Sequence, residues 1–227
     1  MSRIYHANSQ IDWVASRIDH GKRFTLFGNR NSGHSYKVAL MLMLAEVEYE
    51  YFHVNLDIER DDRPDKFRQI TKFGEVPVLL HGEVAICQSN AILLYLARLL
   101  HRFAGENERD HSEIEQWLFW EANRIGFSLS NLRHIRRLGI AAPELEAYYE
   151  SRARDDLDRL DSEFSDARKE FLIGDRFTIA DIACCGYLFL AWQAKLDLNE
   201  WEGVANWLAR IQTVRSWTAP LDLMSPA

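Results

Sequence analysis

The chain has 227 residues, 47% of them hydrophobic, enough to bury a sizeable core as one large domain or two small ones. With 27 basic and 34 acidic residues its formal charge is -7, which gives no electrostatic reason for nucleic acid to bind. Three cysteines, an odd number without a CxxC pair, argue against a disulfide framework and against dithiol redox chemistry, and eight histidines form neither HExxH nor a zinc-spaced Cys/His set, so no metal is expected.

In chain order, Met1–Lys22 reads as an extension before the first strand. Within it, Ser9-x-x-Asp12 resembles a capping box, followed by Ile11, Val14 and Ile18 at helical spacing, which fits a short helix at Ser9–Ile18; the preferred reading is a docked or frayed terminus with no catalytic role. The N-terminal residues do not read as a signal peptide and no apolar run is long enough to span a bilayer, so the expectation is a soluble, cytoplasmic protein with no membrane partner. The next segments alternate in type. Phe24–Phe27 and Tyr49–Val54 read as strands, and Ser35–Ala45 and Pro64–Ile70 as helices. Val78–Leu80 and Val84–Cys87 flank a turn at His81-Gly82-Glu83, and Ser89–Leu100 is an apolar helix. The order is βαβαββα, which folds as a mixed sheet with helices on its faces.

After Leu100 the strand signals stop. His101–Asp110 is polar and reads as a linker, and helices are expected at Ser112–Leu132, Glu144–Ala167, Ile179–Trp192 and Val204–Ile211. The domains expected are therefore residues 23–104 and an all-helical 105–227. Arg133-His134-Ile135-Arg136-Arg137 reads as a solvated helix end.

Three segments of the first domain carry chemistry. Asn29-Arg30-Asn31-Ser32-Gly33-His34-Ser35-Tyr36-Lys37 leads from a strand into a helix N-terminus, where backbone N–H groups and the helix dipole favour an anion. A serine hydroxyl there either caps the helix or donates to a bound thiolate, and the residues alone leave Ser32 and Ser35 open to both roles. Gly74-Glu75-Val76-Pro77-Val78-Leu79 places a proline just before a strand, and an exposed Val76 backbone there could pair with an extended peptide. Gln88-Ser89-Asn90-Ala91 opens a helix, where Ser89 suits a carboxylate or an ordinary cap and Gln88 offers a donor and an acceptor.

These three segments, with Phe171-Leu172-Ile173-Gly174-Asp175-x-Phe177-Thr178-Ile179-Ala180-Asp181-Ile182 in the helical half, resemble the cytosolic glutathione transferases, and in particular their bacterial serine-type members. The resemblance runs from about Phe24 to Leu221 and implies an α+β chain: a thioredoxin-like βαβαββα domain followed by an all-α domain. It implies that Ser32 activates the thiol of glutathione and that His34 stands where those members often have asparagine. It also implies that Val76, beside a cis Pro77, pairs with the cysteinyl unit, and that Gln88 and Ser89 hold the γ-glutamyl group. Lys72, Arg63 and Lys37 are the candidates for the glycine carboxylate. Thr178 and Asp181 would form a capping box, with Phe177 stapled onto Ile182. Where the family commonly has Asn-Pro, this chain has Thr71-Lys72.

The implied activity is attack by a glutathione thiolate on an electrophilic carbon, a peroxide or a disulfide, in a homodimer whose ligands are glutathione and a small electrophile. A thiol of pKa about 8.5 needs a shift of about two units, worth roughly 2.7 kcal/mol, and one charge-assisted hydrogen bond contributes about 1.5–3 kcal/mol. Phe119, Asn123 and Phe127 fall at i, i+4 and i+8 along Ser112–Leu132, either as a co-substrate wall or, for the phenylalanines, as interdomain core; Trp117 and Trp120 read as core. Cys87 reads as structural. The alternative of another class is a non-catalytic scaffold or dimerisation module with the same fold.

Overall fold

Phe24-Thr-Leu-Phe-Gly28 is apolar on both of its faces, and in the computed structural model it becomes the middle strand of a mixed sheet. The structure describes residues 4–6, 24–165 and 169–224; the segment Ser9–Ile18, with both readings given for it, lies outside them. The strands are β1 (Ile4–His6), β2 (Phe24–Gly28), β3 (Tyr49–His53), β4 (Val78–His81) and β5 (Val84–Cys87), in the order β1-β3-β2-β4-β5. β2 runs parallel to β3, with Phe24 opposite Tyr49, and antiparallel to β4, with Phe27 opposite Val78. β5 closes the hairpin, with Val78 opposite Cys87.

With α1 (Gly33–Leu44), α2 (Asp65–Ile70) and α3 (Ser89–Leu100) between and after these strands, the βαβαββα order holds from Phe24 onward. One correction concerns the segment ahead of it. Ile4–His6 is not part of a plain extension but a strand, parallel to β3 with Ile4 opposite Tyr49. Three residues are too few to register an alternation of polarity.

Successive residues of β2 face opposite layers. On one side Phe27, Val54, Phe67 and Val78 form a buried cluster to which α2 contributes Phe67. On the other side α1 packs against β2 and α9 (Pro220–Leu223). Ten of the twelve α1 residues are buried, so the helix is enclosed on all sides. Tyr36 Oη donates to Thr218 O at 2.9 Å, fastening the C-terminal segment to α1.

The helical part comprises α4 (Glu108–Asn123), α5 (Ile125–Leu138), α6 (Pro143–Ser162), α7 (Ile179–Cys185) and α8 (Glu202–Thr213). The single helix expected at Ser112–Leu132 is corrected to two, α4 and α5, hinged at Arg124, whose φ of -115° and ψ of -102° lie outside the helical region. A long-range contact holds this hinge. Asp156, fully buried on α6, accepts from Arg124 Nε and from Ser128 Oγ, both at 2.6 Å. The expected Ile179–Trp192 helix likewise stops at Cys185 and resumes as a 3₁₀ segment, Leu188–Ala194.

Local signals fix several helix ends. Pro143 opens α6, Gly139 closes α5 at a φ of 64°, and Thr178 and Asp181 form a capping box on α7. Phe177 lies edge-on against Phe103 and Phe171. The described residues divide into two compact units, one ending at Leu96 and rejoined from Thr218, the other Ala97–Trp217. The division falls inside α3, ahead of the polar linker expected near residue 105, and the chain end from Thr218 belongs with the first unit.

Candidate functional site

β2 ends at Gly28, where a Cβ would meet Ser35 Cβ at 3.1 Å and Tyr51 Cε2 at 3.2 Å, so glycine permits the close approach of α1 and β3. The loop beyond it is organised by Asn29, a residue the sequence reading gave no role. Asn29 Nδ2 donates to Val54 O at 2.8 Å, and Asn29 Oδ1 accepts from the Asn31 backbone at 2.8 Å. The signal was present as an Asn two residues before another polar turn residue, the pattern of an Asx turn.

Ser32 is the N-cap of α1, with extended φ and ψ of -102° and 113°, and its Oγ accepts from Ser35 N at 3.1 Å. Accepting through a lone pair leaves the hydroxyl proton available to donate elsewhere. Ser35 is not the cap. It is fully buried, and its Oγ accepts from Asn29 N at 3.2 Å. The nearby Tyr51 is raised well above the ordinary phenol range by burial, against a smaller lowering by Arg30, and its hydroxyl lies 3.4 Å from His53 Nδ1.

The second segment carries a cis peptide bond between Val76 and Pro77. Gly74, at a φ of 68°, turns the chain ahead of it, and Arg63 Nη1 donates to Gly74 O at 2.7 Å. The third segment begins at Gln88, a non-glycine residue at a φ of 69°, a left-handed conformation that costs about 1–3 kcal/mol and is held only by its surroundings. Ser89 is the first helical residue of α3 rather than its cap, and its Oγ lies 3.5 Å from His34 Nδ1, at the outer edge of hydrogen-bond reach.

The three segments meet. His34 faces Ser89 at 3.5 Å, Lys37 Nζ donates to Asn90 Oδ1 at 3.0 Å, and Gln88 Nε2 donates to Glu75 Oε2 at 3.2 Å. Ser32, His34, Val76, Pro77, Gln88 and Ser89 therefore belong to one locality formed by two helix N-termini and a turn. The candidates for a glycine carboxylate separate by burial. Lys37 is fully buried and bonded to Asn90, Arg63 is buried against Gly74, and Lys72 is exposed with its amine 5.3 Å from the Phe73 ring centroid.

The expected row of Phe119, Asn123 and Phe127 is broken by the hinge at Arg124. Phe119 and Asn123 lie on the exposed face of α4, Phe119 being 75% exposed. Phe127 lies in the first turn of α5, 42% exposed, with its ring 5.6 Å from Tyr149 and the Arg152 guanidinium 5.7 Å away. Neither phenylalanine is core. Trp117 is buried, while the half-buried Trp120 lines, with Arg109, Gln116 and Arg159, a cleft of about 710 Å³ within the second unit. Among the described residues no group of three or more His, Cys, Asp and Glu side chains is placed to hold a metal, and no helix is long and apolar enough to cross a membrane.

Residues 22–98 match the family model for the glutathione S-transferase N-terminal domain, and residues 142–210 that for its C-terminal domain. The chain is 30% identical over 196 residues to the disulfide-bond oxidoreductase YfcG of Escherichia coli strain K12, covering 82% of this chain and 88% of that protein. A glutathione S-transferase structure from Pseudomonas fluorescens Pf-5 superimposes with a TM-score of 0.79 at 27% identity, over 88% of this chain and 99% of that one. A theta class glutathione S-transferase from Xanthomonas axonopodis pv. citri, solved with glutathione bound, has the same fold at a TM-score of 0.78 and 20% identity, over 91% and 99% of the two chains. With both domain families present and a relative aligned over most of its length, the chain belongs to the glutathione S-transferase family of glutathione-dependent enzymes.

Proposed function

We propose that Ser32 donates its hydroxyl proton to the thiolate of bound glutathione, which then attacks a disulfide sulfur of a second substrate. The observation that carries this reading is the Ser32 cap: Oγ is fixed by accepting from Ser35 N at 3.1 Å, with its proton left to donate at a helix N-terminus. A charge-assisted bond contributes about 1.5–3 kcal/mol, enough for a shift of about two pKa units without a general base.

Around that sulfur, the Val76 backbone at the cis Pro77 turn pairs with the cysteinyl unit, and Gln88 and Ser89 hold the γ-glutamyl group. Lys72 is the accessible basic residue for the glycine carboxylate. His34 orients Ser89 and borders the sulfur. Attack forms a sulfur–sulfur bond to glutathione and expels the other sulfur as a thiolate; the thiolate of a second glutathione then attacks the glutathione sulfur of this mixed disulfide, forming oxidised glutathione and expelling the substrate's remaining sulfur as a thiolate. The disulfide is favoured as co-substrate class by the E. coli relative, a disulfide-bond oxidoreductase. Phe119, Asn123 and Phe127, exposed on two helices, are proposed as a surface that this second substrate meets. The enzyme is proposed to act as a cytoplasmic homodimer.

Calorimetry checks the binding part: wild type should bind glutathione, and Gln88→Ala with Ser89→Ala should weaken it by about tenfold or more, equivalent to about 1.4 kcal/mol. Undiminished binding in that double variant would contradict the assignment. Turnover of a mixed disulfide should exceed that of a haloarene, and the reverse order would move the chemistry to carbon electrophiles. Light scattering should give about twice the 26.5 kDa chain mass.

A further inference from the structure

Lys37 is a basic side chain with no exposed surface, in the third position after His34 on α1. A basic group so enclosed is costly unless it is hydrogen-bonded, and Lys37 Nζ reaches Asn90 Oδ1 at 3.0 Å. Residues three apart on a helix share a face. His34 and Lys37 thus present two polar groups in a row, and they meet the consecutive residues Ser89 and Asn90 at the start of α3. Asn90 lies in the first turn of α3, where backbone N–H groups have no partner within the helix.

We infer that Lys37 is a positioning residue for the γ-glutamyl end of glutathione, acting through Asn90 to hold the first turn of α3 in register with the first turn of α1. This rests on the binding mode proposed above, with the γ-glutamyl group at Gln88 and Ser89. Lys37 does not touch the ligand. It sets the direction of the α3 N–H groups and of Ser89 Oγ, while Ser32 acts on the sulfur at the other end of the molecule. The strained Gln88, at a φ of 69°, makes this register sensitive, because a left-handed non-glycine residue between β5 and α3 relaxes once the contacts around it loosen.

The test compares two thiols by calorimetry: glutathione, and cysteinylglycine, which lacks the γ-glutamyl unit. Lys37→Met keeps an unbranched side chain without the amine, and Asn90→Ala removes the acceptor from a partly exposed site. Each should weaken glutathione by about tenfold and cysteinylglycine by less than about threefold, with kcat at saturating glutathione within about threefold of wild type. The two changes together should cost less than the sum of the two alone, because both remove the Lys37–Asn90 contact. A role in stability alone would weaken both thiols equally, and that result would overturn the inference, as would unchanged glutathione affinity in a folded Asn90→Ala. Should Lys37→Met fail to fold, Asn90→Ala alone decides. An unchanged thiol titration in Ser32→Ala would sink the Ser32 assignment and leave this ratio of affinities untouched.

Discussion

Ser35 Oγ accepts a hydrogen bond from the backbone N–H of Asn29 at 3.2 Å, with both residues buried. The serine one turn into α1 therefore supports the loop before the helix instead of capping it. Ser35→Ala leaves that N–H without its acceptor, and an unsatisfied buried donor costs about 1–3 kcal/mol. Chemical denaturation should show a loss of stability of that size, with the thiol titration of bound glutathione unmoved.

Asp181 gives a pH-dependent prediction. Burial pushes its carboxyl up to about 6, partly opposed by hydrogen bonds from Leu172 N, Thr178 N, Trp207 Nε1 and the Thr178 hydroxyl. With a folded pKa above the unfolded value, the folded state holds the proton more tightly. The stabilisation from that proton is complete below about pH 4 and is lost as pH rises through 6, on the order of 3 kcal/mol for a two-unit shift. In Asp181→Asn, where nothing titrates at this position, the fall in stability between pH 4 and 6 should be smaller than in wild type. The variant should also be less stable at every pH, because an amide turns donors toward the N–H groups. An identical pH slope in the two proteins would contradict this.

Cys87 sits beside Gln88, and its Sγ takes a weak bond from Lys72 N at 3.4 Å. A packing role predicts that Cys87→Ala keeps turnover within about twofold of wild type, since a sulfur acceptor contributes little. Activity lost from a folded Cys87→Ala with normal glutathione affinity would make this cysteine part of the chemistry.

The first unit was legible in the sequence because its elements are set locally. β2 and α1 differ in period, Gly28 and Ser32 punctuate them, and Ser89–Leu100 agrees with α3 at both ends. The helical unit was less legible, for a nonlocal reason. Apolar periodicity runs unbroken across Arg124, while Asp156 on α6 holds Arg124 and Ser128 at the hinge and Gly126, where a Cβ would lie 2.8 Å from Glu121 O, permits the close turn there. That hinge also undid the row of Phe119, Asn123 and Phe127. In the site, residue types were readable and environments were not. Nothing in Gln88 announces a positive φ, and nothing in Lys37 announces complete burial, because both follow from where α3 meets α1. Ser32 and Ser35 were interchangeable by composition; the cap geometry separated them.

If Ser32 holds the glutathione sulfur as a thiolate, the ultraviolet thiolate absorbance of the binary complex, titrated against pH in wild type, Ser32→Ala and Ser35→Ala, reports it. Losing one charge-assisted bond should raise the midpoint by about 1–2 pH units in Ser32→Ala. Turnover near neutral pH should fall about ten- to a hundredfold, glutathione affinity should change much less, and loss of the cap should cost about 1 kcal/mol of stability. Ser35→Ala should titrate like wild type. An unchanged midpoint in Ser32→Ala, with the shift appearing in Ser35→Ala instead, would contradict the account and move the activating hydroxyl one turn into α1.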